Sequence, residues 1–204
     1  MARLSGEERK GSILESAIAV FARGGFNGST TSALARAAGI TEALLYRHFR
    51  SKRALFKGAV RHVLETVDTD VEDILARHDH PVRALRSLFA YFVSQLRKNP
   101  ELSHLIYVVA TELREDEDLK ELYVRYQDRI HGRLELAIRR WEADGYLRPG
   151  TDPRAAAWLI LGAHQTLTLM EQTGRLDEFG PQHVRSFVQA FLTDDAREAL
   201  TEDE

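Results

Sequence analysis

The chain has no cysteine, so neither a disulfide nor a zinc–thiolate cluster can hold it together. Long apolar runs are also missing. No segment is expected to span a bilayer, nothing near Met1 has the form of a signal peptide, and a cytoplasmic protein without a membrane partner follows. Enzyme signatures are absent too: there is no Gly-x-Ser-x-Gly elbow, no His-Glu-x-x-His pair and no dinucleotide fingerprint. Gly24, Gly25 and Gly28 are not followed by Gly-Lys-Ser/Thr and no strand precedes them, so they read as a helix stop rather than a phosphate loop. His, Asp and Glu are scattered in the manner of surface residues, so no catalytic residue and no cofactor is expected. His78 and His80 lack a third ligand, and no metal is expected there.

Charge is unevenly placed. The formal net charge of -3 conceals a basic beginning: residues 1–62 hold 11 Lys and Arg against 4 Asp and Glu, while the remainder holds 17 against 27. A basic head on an acidic body is the distribution expected of a phosphate-binding domain attached to a body with other work.

Within that head, Thr30 to Phe56 organises the chain. Thr30 or Thr31 can cap a short helix, because a hydroxyl accepts from the unpaired amides of an opening turn. Leu34, Ala35 and Ala38 share one side of it, and small Ala35 lets a second helix approach. Gly39 supplies the positive φ that ends it, and Ile40 plugs the space between helices. Thr41 caps the second helix, in which Leu45 and Phe49 lie four apart. Glu42, Ala43, Leu44, Arg47 and His48 cover much of the rest. These offsets describe a helix-turn-helix that presents its second helix to a DNA major groove.

The run from about Ile13 to Phe56 strongly resembles the TetR family of bacterial transcriptional regulators. The similarity is carried by FARGGFNGSTT, by the A-x-x-A-G-I-T turn and by L-Y-R-H-F-R-S-K-R-A-L-F. The resemblance implies a double-stranded DNA operator as partner, a homodimer, and a small-molecule effector in the body. It implies that the Tyr46 phenol reaches a phosphate and that Ser32 faces the groove. Lys52 opens the next helix, where its charge and the helix amides favour a phosphate oxygen. Arg47 and His48 lie on the exposed face, and Arg is the commonest reader of guanine edges. Leu44 departs from the small or hydroxyl residue common in the family; packing on a thymine methyl and covering Leu45 are both open. Glu42 repels phosphate, yet it can accept from cytosine N4 or complement a helix N-terminus. The candidate DNA-binding set is therefore Thr30, Thr31, Ser32, Thr41, Glu42, Ala43, Leu44, Tyr46, Arg47, His48 and Lys52.

Ahead of this stretch, Ser5 and Glu8 form a capping box, and Ile13, Leu14, Ala17, Ile18 and Phe21 make one apolar stripe. Beyond it, apolar residues recur at helical spacing and no strand alternates. The spacing predicts an all-α fold of about nine helices, a three-helix helix-turn-helix head on a helical ligand-binding and dimerisation body. The expected division is 1–50 for the head and 51–204 for the body, with 51–77 as a linking helix. The helix from Pro153 to Thr173 is apolar or small on nearly every side, so burial all round is expected. A second copy of the chain would cover one side most economically, with Leu161, Gln165, Leu169, Phe187 and Phe191 at the interface. Phe89, Phe92, His104, Tyr107, Tyr123, Tyr126, Trp158 and His164 fall where the resemblance places an effector; aromatic walls with polar tips suit a pocket and suit a plain core as well. The acidic run Glu112 to Asp118 reads as a solvated helix junction. The expected function is a dimeric, ligand-responsive repressor on a palindromic operator. The alternatives are an architectural or partner-controlled DNA-binding protein and, from another class, a helical enzyme or adaptor.

Overall fold

The computed structural model describes residues 5–112, 116–194 and 196. Among these, nine α-helices follow one another: α1 (Gly6–Gly28), α2 (Thr31–Ala37), α3 (Glu42–His48), α4 (Lys52–Arg77), α5 (Pro81–Lys98), α6 (Pro100–Glu112), α7 (Glu117–Ala143), α8 (Pro153–Gln172) and α9 (Pro181–Phe191), with one 3-10 turn at Leu176–Glu178. The described residues contain no strand, and extended pairing is confined to an isolated bridge between Leu147 and Leu192. The all-α expectation holds. Of the acidic run Glu112 to Asp118, residues 113–115 lie outside the described residues.

The helix boundaries follow from local chemistry. Ser5 and Glu8 cap α1 reciprocally, the Ser5 amide donating to Glu8 Oε2 at 2.7 Å and the Glu8 amide to Ser5 Oγ at 3.2 Å. Gly25, at φ 61°, breaks α1 before its last residues. The break differs in detail from a stop at Gly24-Gly25, because helical turns resume and run to Gly28. Thr30 caps α2 and Thr41 caps α3, accepting from the amides of Ala33 and Leu44. Gly39 takes φ 64°, and the Ile40 amide donates to Ala35 O, closing the α2 terminus. Ser51 caps α4 and Asp152 caps α8. Pro81, Pro100, Pro153 and Pro181 each open a helix, where a missing N–H costs nothing.

The chain forms two compact units, Met1–Thr66 with Asn99–Tyr123, and Val67–Lys98 with Val124–Glu204. In the first, Ile13, Ala17, Ile18 and Phe21 of α1 are buried with Leu34, Ala35, Leu45, Phe49, Leu55, Phe56 and Ala59. Phe56 meets Phe21 edge-on at 4.9 Å and Phe26 at 5.3 Å, so Phe26 folds back onto α4. α6 packs along α1 and contributes Leu105, Ile106 and Val109. Close packing also explains Gly58: a Cβ there would meet a Leu14 methyl at 3.0 Å and the Phe49 ring at 3.4 Å.

In the second unit, α5 packs on α8 and α9, and Leu85, Leu88, Phe89, Phe92, Ile160, Leu167 and Val188 of these helices are buried. Ion pairs fasten the C-terminal half of α4: Asp68 binds Arg133 at 2.7 Å and Arg129 at 3.2 Å, and Arg133 also reaches Glu72. Asp70 accepts from Tyr91 Oη at 2.8 Å; burial and this bond raise the Tyr91 pKa. Within the single chain α8 is buried on one side only, and the side expected to meet a second copy is open. Trp158, Leu159 and Leu169 are 45%, 52% and 53% exposed, on a face that this chain leaves open.

Candidate nucleic-acid interface

α2 and α3 owe their placement to apolar residues on one side of each. Leu34 and Ala35 bury α2, Leu45 and Phe49 anchor α3, and the opposite faces are left to solvent. Those faces, their capping threonines and the start of α4 carry the predicted set. Thr30, Ser32, Thr41, Glu42, Ala43, Tyr46 and Arg47 are exposed, while Thr31, Leu44, His48 and Lys52 are partly buried. Tyr46, at 48% exposure, projects its ring from the surface instead of joining the core.

Beside them lies an open groove of about 870 Å³. Thr41, Leu44, Arg47 and His48 line it on one side, and Arg9 and Arg36 add two further guanidinium groups. Neither Arg9 nor Arg36 stands out in the sequence, because single arginines on amphipathic helices are common. Only the fold brings them beside α3. The groove is thus lined by cations from three helices, an arrangement suited to phosphate.

Two of the predicted residues already have protein partners. Thr31 Oγ1 donates to Glu42 Oε2 at 2.9 Å, tying the start of α2 to the start of α3. Lys52 Nζ donates to the carbonyls of Phe26 at 2.8 Å and Ser29 at 2.9 Å and sits 4.4 Å over the Phe26 ring. Its ammonium pins the glycine-rich turn to α4. Ser29 is buried and completes the turn, its hydroxyl donating to Gly25 O at 2.7 Å and Val20 O at 3.1 Å.

The start of α4 also carries Arg53 and Lys57, which bind Asp116 at 2.9 Å and 3.3 Å; Lys57 reaches Asp118 as well. Burial opposes ionisation of Asp116. The Leu119 amide, Arg53 and Lys57 outweigh it and hold the carboxyl below its usual range.

The body candidates divide between the units. In the first, Tyr123 is buried, His104 is partly buried and stands 6.4 Å from Tyr107, and Tyr107 is 43% exposed. In the second, Phe89 packs on Phe179 and Phe187, Tyr126 is buried, and Phe92 meets His164 at 4.3 Å. Burial lowers the His164 pKa to about 4, so it is neutral at pH 7. Trp158 rests on His131 at 4.6 Å, on the open face of α8. Of the proposed interface residues, Leu169 and Gln165 are exposed, Leu161 is partly buried, and Phe187 and Phe191 lie 4.9 Å apart and partly buried. His78 Nε2 shares a hydrogen bond with Ser87 Oγ at 2.9 Å, and His80 Nδ1 accepts from the Val82 amide at 3.3 Å, so each ring has a partner within the protein.

Comparison with known proteins agrees with this surface. Residues 13–59 match the family described as bacterial regulatory proteins, tetR family. The nucleoid occlusion factor SlmA of Marinobacter nauticus is 32% identical over 170 residues, covering 83% of this chain and 80% of that protein. Among solved structures, a TetR transcriptional regulator from Chloroflexus aurantiacus superposes with a TM-score of 0.79 at 23% identity, covering 92% of this chain and 97% of that one. SmeT, the repressor of the Stenotrophomonas maltophilia multidrug efflux pump SmeDEF, gives 0.71 at 24% identity over 92% of each chain. The same protein in complex with triclosan gives 0.73 at 24%, over 92% of this chain and 93% of that one. These three structural likenesses show the fold. The matched head and the Marinobacter relative place this chain in the TetR family of bacterial DNA-binding regulators.

Proposed function

We propose that this chain is a homodimeric, cytoplasmic repressor whose two heads bind a palindromic operator and release it when a small molecule enters the body. In this reading residues 1–50 form the reading head and residues 51–204 the effector and dimerisation body, with residues 51–77 as the linking helix. The observation that carries the dimer is the open face of α8, where Trp158, Leu159 and Leu169 expose apolar surface. A second copy covers that face, and paired heads meet successive major-groove faces about 34 Å apart. Support for an effector comes from the aromatic residues around α5 and from SmeT, a protein of this fold with a triclosan complex. Release requires the effector to favour one head spacing over another, and a shift from 1:99 to 99:1 takes about 5.5 kcal/mol of differential binding.

A second reading is favoured by the relatives themselves. The Marinobacter protein is named as a nucleoid occlusion factor. A DNA-bound protein controlled by a protein partner, with a filled core and no effector, fits that name.

Footprinting on the intergenic DNA beside the gene, repeated across salt, tests the operator. Thermal shift against a metabolite panel then separates the two readings. A true effector raises the melting temperature by mass action and releases the footprint, and a partner-controlled protein responds to no small molecule.

A further inference from the structure

Glu42 is the only acidic residue between Glu15 and Glu65, a stretch with eight Lys and Arg. It stands in the first turn of α3, exposed, on the helix that faces DNA in the proposed reading. A carboxylate there repels every phosphate that the surrounding cations attract. If the fold needed only an acceptor near the α3 terminus, Thr41 already supplies one through its bond from the Leu44 amide.

The carboxylate is also held in place. Thr31 Oγ1 donates to Glu42 Oε2 at 2.9 Å, and Thr31 is free to do so because Thr30, not Thr31, caps α2. No cation forms an ion pair with Glu42 among the described residues, so Oε1 keeps its lone pairs for a donor from outside. A carboxylate accepts only, and the base edge that offers it a donor in the major groove without an adjacent acceptor is the N4 amino group of cytosine.

Resting on the DNA-binding reading, we propose that the Thr31–Glu42 pair is a specificity element that selects cytosine at one position of each operator half-site. Glu42 is the base-reading residue and Thr31 is its positioning residue. Guanine and thymine present oxygen acceptors that the carboxylate repels, so the element works by exclusion as much as by attraction.

The test is selection of bound duplexes from a random-sequence pool by the full-length wild-type protein, Glu42→Gln and Thr31→Val. Wild type should recover a pseudo-palindrome with a fixed C in each half, preferred roughly ten- to a hundred-fold. Glu42→Gln should replace that C with A, since an amide pairs with adenine N6 and N7, and leave the other positions unchanged. Thr31→Val keeps the charge and the α2 cap. It should relax the preference for C several-fold while preserving the rest of the site. Recovery of the same motif by Glu42→Gln, with uniformly tighter binding, overturns the assignment and leaves Glu42 as a repulsive charge. An unchanged C preference in Thr31→Val removes the positioning role. If wild type enriches no motif, the operator reading itself fails, and the assignment fails with it.

Discussion

Lys52 touches Phe26 twice, donating to its carbonyl at 2.8 Å and placing its ammonium 4.4 Å above its ring. A third contact, to Ser29 O at 2.9 Å, makes this lysine a bolt between α4 and the turn after Gly25. Hydrogen bonds from a charged donor contribute about 1.5–3 kcal/mol each at most, and Lys52 is partly buried. Lys52→Met should therefore cost about 2 kcal/mol of stability. Urea denaturation of the purified protein checks this, and an unchanged midpoint would show the bolt to be idle.

Arg47 is exposed beside the groove and makes no hydrogen bond or ion pair among those found in the described residues. Arg47→Ala should leave the fold intact and weaken DNA binding. If the guanidinium meets a phosphate, the slope of log affinity against log salt should fall by about 1, equally on all sequences. If it reads a guanine, the slope should hold and one operator position should lose its preference by about 1–3 kcal/mol. Titrations at several salt concentrations separate these outcomes.

The open face of α8 predicts a mass. The protein should sediment at twice 23.2 kDa. Leu159→Asp and Leu169→Glu place charges on residues that are 52% and 53% exposed in the single chain, so each should fold and sediment at half that mass. A dimer that survives both substitutions would place the interface elsewhere.

His164 predicts a pH dependence. Its folded pKa, lowered by burial to about 4, lies below the ordinary imidazole value of 6.5. Above 6.5 the ring is neutral in both states, so its packing against Phe92 carries no ionisation cost. As pH falls below 6.5 the unfolded chain takes up a proton that the folded chain refuses. Stability should then decline by up to about 1.4 kcal/mol per pH unit until the folded pKa is passed. Denaturation of wild type and His164→Phe at pH 7.5, 5.5 and 4.5 checks this, with the slope expected to be shallower in the variant.

The caps and turns could be read from residue order. Thr41, Gly39 and Ile40 act within a few positions of themselves, and Ser5 reaches only to Glu8. Residues whose partners are distant could not. The bonds of Lys52 to Phe26 and Ser29, more than twenty positions away, leave no local signal, and nothing local points Arg36 toward the groove that Arg47 also lines. The resemblance places Trp158 among the effector-pocket aromatics, yet its position on α8 carries it to the open side. α6 shows helical spacing but no sign that its apolar face belongs against α1. Period and capping predict that a helix exists, and its neighbour is set by shape that only the fold reveals.

Asp116 joins two events that usually happen separately. The opening turn of a long helix ordinarily frays on its own, at little cost. Here the carboxylate that accepts from the Leu119 amide also receives Arg53 and Lys57 from the start of α4. When the first turn of α7 opens, two positive charges lose their counter-charge a short distance along the chain from α3. The amide protons at the start of α7 therefore report on the ion pairs that open α4, and in the proposed reading their exchange rates should change when DNA takes hold of α3.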